Sequence, residues 1–258
     1  MNLTAEQLNE NYQELLGYID KYIQGERKQK LLDFYKQYEE RIILLPAAHK
    51  TSYHSAFVGG YVYHVNNVIK NAIVSYDVWQ RAGSDLTKVS LESLVFCALN
   101  HDLGKIGTAD EQAVFPSQDE WRKKNLGEMF TFNTKLAYMT VPDRSLYLLS
   151  SHGIEMTEDE WIAIRVHDGL YDEANKAYYK SFIPENRFRT PLALMLHEAD
   201  MRAARIEFEH QYLKEIEQKN LASQEKGGNL DSNKKVPSKQ KALSSVKSQG
   251  LKNMLDSL

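Results

Sequence analysis

Apolar residues at the start of the chain recur with a helical period. Leu8, Tyr12, Leu15, Leu16, Ile19, Tyr22 and Ile23 share one side of a 3.6-residue winding, and Thr4 with Gln7 has the spacing of a capping box. A second helix is expected after Gly25, carrying Leu31, Leu32, Tyr35, Tyr38 and Ile42 until Pro46 stops it. The two read as an antiparallel pair packed on the main body. From Pro46 to about Glu209, helical patterns follow one another with short polar breaks. They are Phe57 to Arg81, Leu91 to Lys105, a weaker element near Asn125 to Ala137, Ser145 to Ser151, Glu158 to His167, and Pro191 to Lys214. No segment shows a convincing two-residue alternation, so the fold class is all-α. The expected divisions are a helical extension over 1–45, a main domain over 46–214 and a tail over 215–258. The tail stretch "SQEKGGNLDSNKKVPSKQKALSSVKSQG" lacks aromatic residues and has the composition of disorder. The closing "LKNMLDSL" reads as a frayed end or a short amphipathic turn that docks on a partner.

With 258 residues, 42% of them hydrophobic, the chain can bury one sizeable core. No run approaches the roughly 18 apolar residues of a membrane span. The opening "MNLTAEQLNENYQ" has neither the basic nor the apolar region of a signal peptide, so a cytoplasmic protein without membrane contact is expected. Cys97, the single cysteine, lies in "LESLVFCALN" and reads as a small buried hydrophobe. The net charge of −3 is uneven. From Gln218 onward eight lysines face three acids, a balance of +5, which leaves −8 for residues 1–217. An acidic body is a poor wrapper of nucleic acid, whose binding draws on rows of Lys and Arg. Phosphate chemistry is therefore expected at one local pocket.

Histidines and carboxylates converging from several helices are how an all-α protein builds a metal site. His64 sits on a stripe of Val58, Val62, Val65, Ile69, Ala72 and Ile73. His101-Asp102 ends a strongly apolar helix ahead of Gly104, and Asp200 follows Leu192, Leu196 and Ala199, with His197 one turn before it. A lone histidine on an apolar helix is more often a hydrogen-bonded core residue. A bare His-Asp pair means little either, since a second stands at His167-Asp168. The ordered set of histidine, His-Asp and aspartate on separate helices carries the functional reading.

"NHDLGKIG" resembles the HD-x-G-K signature of the HD-domain metal-dependent phosphohydrolases. "PAAHKTSYHSAFVGGYVYHV" is similar to the first-histidine segment of the branch containing 3′-to-5′ exoribonucleases. "MTEDEWIAIRVHDGLYD" and "PLALMLHEADMRAA" look like the later metal-site helices of bacterial HD hydrolases. The resemblance spans about residues 46–209 with its motifs in family order, and it implies an all-helical HD fold around a divalent ion. Carried over residue by residue, His64, His101, Asp102 and Asp200 become the ligands of Mn, Fe, Co, Ni, Zn or Mg, with Asp102 also a candidate general base.

The resemblance also has a gap. Two-metal relatives add two histidines, and the earlier would fall in "TVPDRS", Thr140 to Ser145, which has none. His167 matches the later one. One ion is therefore expected, with His167 free to act as an acid or phosphate donor and His152 weighed as a replacement ligand. Lys105, the signature lysine, is a candidate contact to phosphate or to Asp102. His54, Lys50 and Arg144 are candidate substrate contacts, while His49, His197 and His210 read as mainly structural. Tyrosines 53, 61, 63, 138, 171, 178 and 179 cluster around the motifs and lend slight support to a base-bearing substrate. The expected function is hydrolysis of a nucleotide phosphoester. The alternatives are a 3′-5′ exonuclease on single-stranded nucleic acid, or a non-catalytic binding module. A homodimer through the N-terminal helices is also compatible with the pattern.

Overall fold

Thr4 opens the first helix, α1 (Ala5–Tyr22), as its spacing predicts. Its hydroxyl accepts from the Gln7 N–H at 3.3 Å, and the Gln7 side chain accepts from the Thr4 N–H at 2.9 Å. Two donors left over at the helix end are thereby satisfied. Tyr12, Leu15 and Ile19 form the buried stripe. The single helix expected next is two, α2 (Gly25–Gln37) and α3 (Glu39–Leu44), because Tyr38 departs from helical geometry between them. The computed structural model describes residues 2–226.

Gly59 decides where α4 (Gly60–Arg81) begins. Its φ of 84° is left-handed backbone, so the helix starts after Phe57, where the apolar pattern begins. α5 (Leu91–Asn100) is capped by the Ser90 hydroxyl, which accepts from the Ser93 N–H at 2.9 Å, and its residues Leu94 to Asn100 are all buried. It ends earlier than expected, at Asn100, and a 3₁₀ turn over Leu103–Ile106 replaces its last turn. Gly104 in that turn backs onto Val141, whose carbonyl oxygen would lie 2.2 Å from an added Cβ. Close approach of two backbones forces the change of winding.

The expectation of helices alone is corrected between Val114 and Phe132. Strands β1 (Val114–Pro116) and β2 (Phe130–Phe132) pair antiparallel, Phe115 opposite Thr131, with α6 (Glu120–Leu126) between them. The element expected near Asn125 to Ala137 is thus the end of α6, then β2 and irregular chain. Three-residue strands are too short for an alternation to show.

α7 (Val141–Ser151), α8 (Glu158–Arg165), the short α9 (Lys176–Tyr179) and α10 (Leu192–Lys226) follow. α4 and α5 pack together at the centre, α1 lies against both, α7 packs on the 3₁₀ turn, and α8 covers α5. The protein is mostly helical, as the all-α class requires. Residues 1–213 form one compact unit, so the boundary expected at 45/46 does not separate two bodies. The N-terminal helices are tied in by Arg27, whose guanidinium lies 2.9 Å from Glu160 of α8 and 2.6 Å from Glu92 of α5. A second unit begins at Lys214. Its part up to Lys226 is helical where a tail was expected from 215, and "LKNMLDSL" falls outside the described residues. No helix among the described residues is long and apolar enough to cross a membrane.

Candidate metal centre

Four segments bring titratable side chains to one buried point. α4 contributes His64 from its buried face, and the end of α5 contributes His101 and Asp102. The chain just past α8 brings His167 and Asp168, and α10 brings Asp200 and Glu207. Together with His54 these residues form four overlapping groups, and within each group the ligand atoms lie within 4.8 Å of one another and could hold a metal ion. The groups share His64, His101, His167 and Asp200, so they make one continuous donor pocket.

Hydrogen bonds fix which ring nitrogens face that pocket. His101 Nδ1 lies 2.8 Å from the Ala98 carbonyl. A carbonyl only accepts, so Nδ1 carries the proton and Nε2 presents its lone pair. That Nε2 is buried without a hydrogen-bond partner, facing Asp102 Oδ2 at 3.5 Å and Asp200 Oδ1 at 3.9 Å. A lone pair turned toward carboxylate oxygens is unfavourable unless a cation lies between them. The mixed imidazole and carboxylate donor set suits a divalent transition ion, so the residues present fit such a group.

His167 repeats the arrangement of His101. Its Nδ1 donates to the Ile164 carbonyl at 2.8 Å, and its Nε2 faces Asp102 Oδ1 at 3.8 Å and Asp168 Oδ1 at 3.7 Å. Both His-Asp pairs therefore follow a helix end and tie the imidazole to the carbonyl three residues back. Asp168 is not among the ligands that the resemblance carries over. It begins a 3₁₀ turn over Gly169–Tyr171 and joins His167 and Asp200 in a ligand group. What separates the pairs is burial, since Asp168 is 47% exposed at its side chain and Asp102 only 8%.

His64 is held from both ends. Its Nε2 lies 3.1 Å from Asp200 Oδ1 and its Nδ1 3.2 Å from Glu207 Oε2. Glu207 also accepts from the Ser55 hydroxyl at 2.7 Å and from Asn67 Nδ2 at 2.8 Å. Ser55 itself sits at a φ of 49°, a strained conformation for a residue other than glycine. Its carbonyl oxygen would meet a Cβ on Gly60 at 2.0 Å, so Gly60 lets this loop close on α4. Glu207 was missed from the sequence. Its one signal is its position two turns after Asp200 on the same helix face.

Charge follows the same geometry. Burial pulls His64 down, but Glu207 and Asp200 outweigh it and hold the imidazole at a pKa of about 10. Burial pushes Asp102 up, but Lys105 and the three neighbouring histidines bring it well below the usual carboxylate range. Burial likewise pushes Asp200 up, and His64, His101 and His167 bring it well below. Burial lowers His101. For His167 burial is outweighed by Asp168, Asp102 and Asp200, which raise it.

The other candidates fall in different places. Lys105 Nζ lies 2.5 Å from Asp102 Oδ2, so this lysine holds the aspartate. His54 lines a cavity of about 510 Å³ that opens beside Asp200, together with Tyr53, Asp168 and His197. Burial, then His64 and Lys105, push its pKa down to about 4, and its Nε2 is buried without a partner. His197 Nδ1 donates to the His167 carbonyl at 2.8 Å, which steadies the backbone that carries His167. Lys50 pairs with Glu128 at 3.0 Å and does not line the cavity. Arg144 donates to the Ala137 carbonyl at 2.8 Å and also lies off the cavity. His152 binds the Tyr38 hydroxyl at 3.2 Å and packs edge-on against Phe34, outside every ligand group. The stretch Thr140 to Ser145 is the capped start of α7 and packs behind His101, with Ser145 Oγ accepting from the Gly104 N–H at 2.8 Å.

No protein-family model, curated protein or solved structure matches the chain.

Proposed function

We propose that the chain is a metal-dependent phosphohydrolase of the HD type that acts on the phosphoester of a nucleotide-sized molecule. One divalent ion would be held by His64, His101, Asp102 and Asp200. The observation that carries this reading is the buried lone pair of His101 Nε2 facing two carboxylates, in a donor pocket with a cavity beside it. A bound divalent ion supplies an acidified water and neutralises phosphoryl oxygens.

The chain's own residues supply the rest. Lys105 and its ion pair keep Asp102 ionised, so it can accept a hydrogen bond from an attacking water and orient it. His167, raised above its ordinary value, is suited to hold a proton for the leaving oxygen. His54 stays neutral at the cavity wall and can contact a phosphoryl oxygen as a donor. The cavity's volume falls in the range of small-molecule sites, and the acidic body disfavours a long polymer.

The test combines elemental analysis of the purified protein with hydrolysis of bis(p-nitrophenyl) phosphate and a nucleotide panel, under added Mn, Co, Ni, Zn or Mg. Metal-dependent turnover that Asp102→Ala abolishes is the expected result. Bound metal without turnover would leave a binding module, and shortening of single-stranded RNA or DNA from its 3′ end would make the enzyme an exonuclease.

A further inference from the structure

The cavity beside Asp200 has walls that a bare phosphate site does not need. Tyr53 reaches it from a loop, Tyr171 from the 3₁₀ turn after Asp168, and Met201, Arg205 and Phe208 from α10. On α10 these three stand at i, i+4 and i+7 of one another and so share one helix face, which begins one residue after Asp200. With a rise of 1.5 Å per residue, Arg205 stands about 7.5 Å and Phe208 about 12 Å along the axis from Asp200. Tyr53, Tyr171, Met201 and Phe208 are all exposed, at 53%, 71%, 41% and 37%. Large apolar groups gathered at the mouth of an acidic pocket mark a binding surface.

The charges of this wall are sparse. Among the described residues lining the cavity, Arg205 is the only Lys or Arg, against Asp168 and Asp200, and its guanidinium donates to the Tyr171 hydroxyl at 3.2 Å. Lys105 lies beyond, tied to Asp102. A phosphate monoester carries about two negative charges at neutral pH. The one divalent ion proposed at the site would match those two charges, whereas a triphosphate carries roughly double, and its additional charge would meet Asp168 with Arg205 alone among the described lining residues to offset it.

Building on the phosphohydrolase reading, we propose that this cavity seats the flat ring of a nucleoside monophosphate. The phosphate lies at the Asp200 end, the ring lies against Tyr53, Tyr171 and Phe208, and Arg205 meets the ring's polar edge. Aromatic faces accept any base, so the wall selects for a ring and for one phosphate more strongly than for base identity.

The experiment uses the full chain with adenosine, guanosine, cytidine and uridine as free nucleosides, 5′-monophosphates and 5′-triphosphates, and ribose 5-phosphate as the ring-free probe. Calorimetry reads nucleoside binding, which involves no phosphate, and steady-state kinetics reads hydrolysis. Tyr171→Ala is expected to weaken nucleoside binding on the order of tenfold. It should also raise KM for the monophosphates more than kcat changes, collapsing their preference over ribose 5-phosphate. Tyr171→Phe keeps the ring and should keep most of the nucleoside affinity, which separates a stacking role from a structural one. Arg205→Gln is expected to lower monophosphate kcat/KM by a similar factor. Both side chains are exposed, and thermal melting confirms that the variants are folded.

If phosphoesters are hydrolysed but triphosphates have the higher kcat/KM, or Tyr171→Ala leaves the ring preference intact, the ring seat is overturned and the hydrolase stands. If nucleosides bind in a Tyr171-dependent way while nothing is hydrolysed, the seat stands and the hydrolase falls. If neither binding nor hydrolysis is found, both fall.

Discussion

Glu207 holds the Nδ1 edge of His64 at 3.2 Å, leaving the opposite nitrogen to face Asp200. The carboxylate accepts from Ser55 and Asn67 as well, so the orientation of the imidazole is set by three segments at once. Removing such a partner of a ligating histidine typically costs about 10- to 100-fold in metal affinity. Glu207→Ala is therefore expected to weaken Mn or Zn binding by that factor while the number of ions per chain stays the same. Titration against a chelating indicator reads it, and unchanged affinity would show that Glu207 is only a packing residue.

A second prediction concerns pH. In the metal-free protein His64 has a pKa of about 10, above the ordinary 6.5. A group raised on folding stabilises fully below its unfolded pKa and loses that contribution as pH climbs through the folded one. Thermal stability of the metal-free protein should accordingly decline between about pH 6.5 and 10. At neutral pH an incoming ion must displace that proton, so affinity should rise by up to roughly tenfold per pH unit. Calorimetry in buffers of different ionisation enthalpy counts the released proton, and a count of zero would refute the clamped imidazolium.

Gly104→Ala should destabilise the turn after Asp102. The new Cβ would meet the Val141 carbonyl at 2.2 Å and the Ser145 nitrogen at 3.0 Å. Both are backbone atoms that cannot swing away, so the upper part of the usual overpacking cost, about 3 kcal/mol, is expected. Urea denaturation gives the number, and a loss below about 1 kcal/mol would mean that the helix start moves freely.

Arg27 makes a comparable claim for the N-terminal helices. Glu160 is fully buried, and Arg27 bonds both of its carboxylate oxygens at 2.9 Å. Arg27→Ala strands that carboxylate, and breaking a buried pair costs about 3 kcal/mol at the low end, appropriate here because Arg27 keeps some solvent contact. Denaturation of the full chain should show this loss, and Glu160→Gln in the Arg27→Ala background should recover part of it by removing the stranded charge.

The helices were legible wherever an apolar stripe was long and a cap was spelled out, as at Thr4 with Gln7 and Ser90 with Ser93. The strands at Val114 and Phe130 were not, because three residues cannot display a period. His64, His101, Asp102 and Asp200 could be named from motif order, and the fold brings them together. Lys50 and Arg144 could not be placed, since the partners that engage them, Glu128 and the Ala137 carbonyl, are set by the folding of loops.

By itself, the sequence determined that this protein is a mostly helical body with histidines and aspartates at the ends and on the buried faces of separate helices. Periodicity and capping are local, so neighbouring residues suffice to write them. Only the tertiary structure decided that Glu207 orients His64, that Asp168 joins Asp200 at the pocket, and that Tyr171 and Arg205 wall one side of the cavity. Those relations join residues that are distant in the chain or lie on different segments. Their distances are settled by how helices pack, and no spacing in the sequence records that.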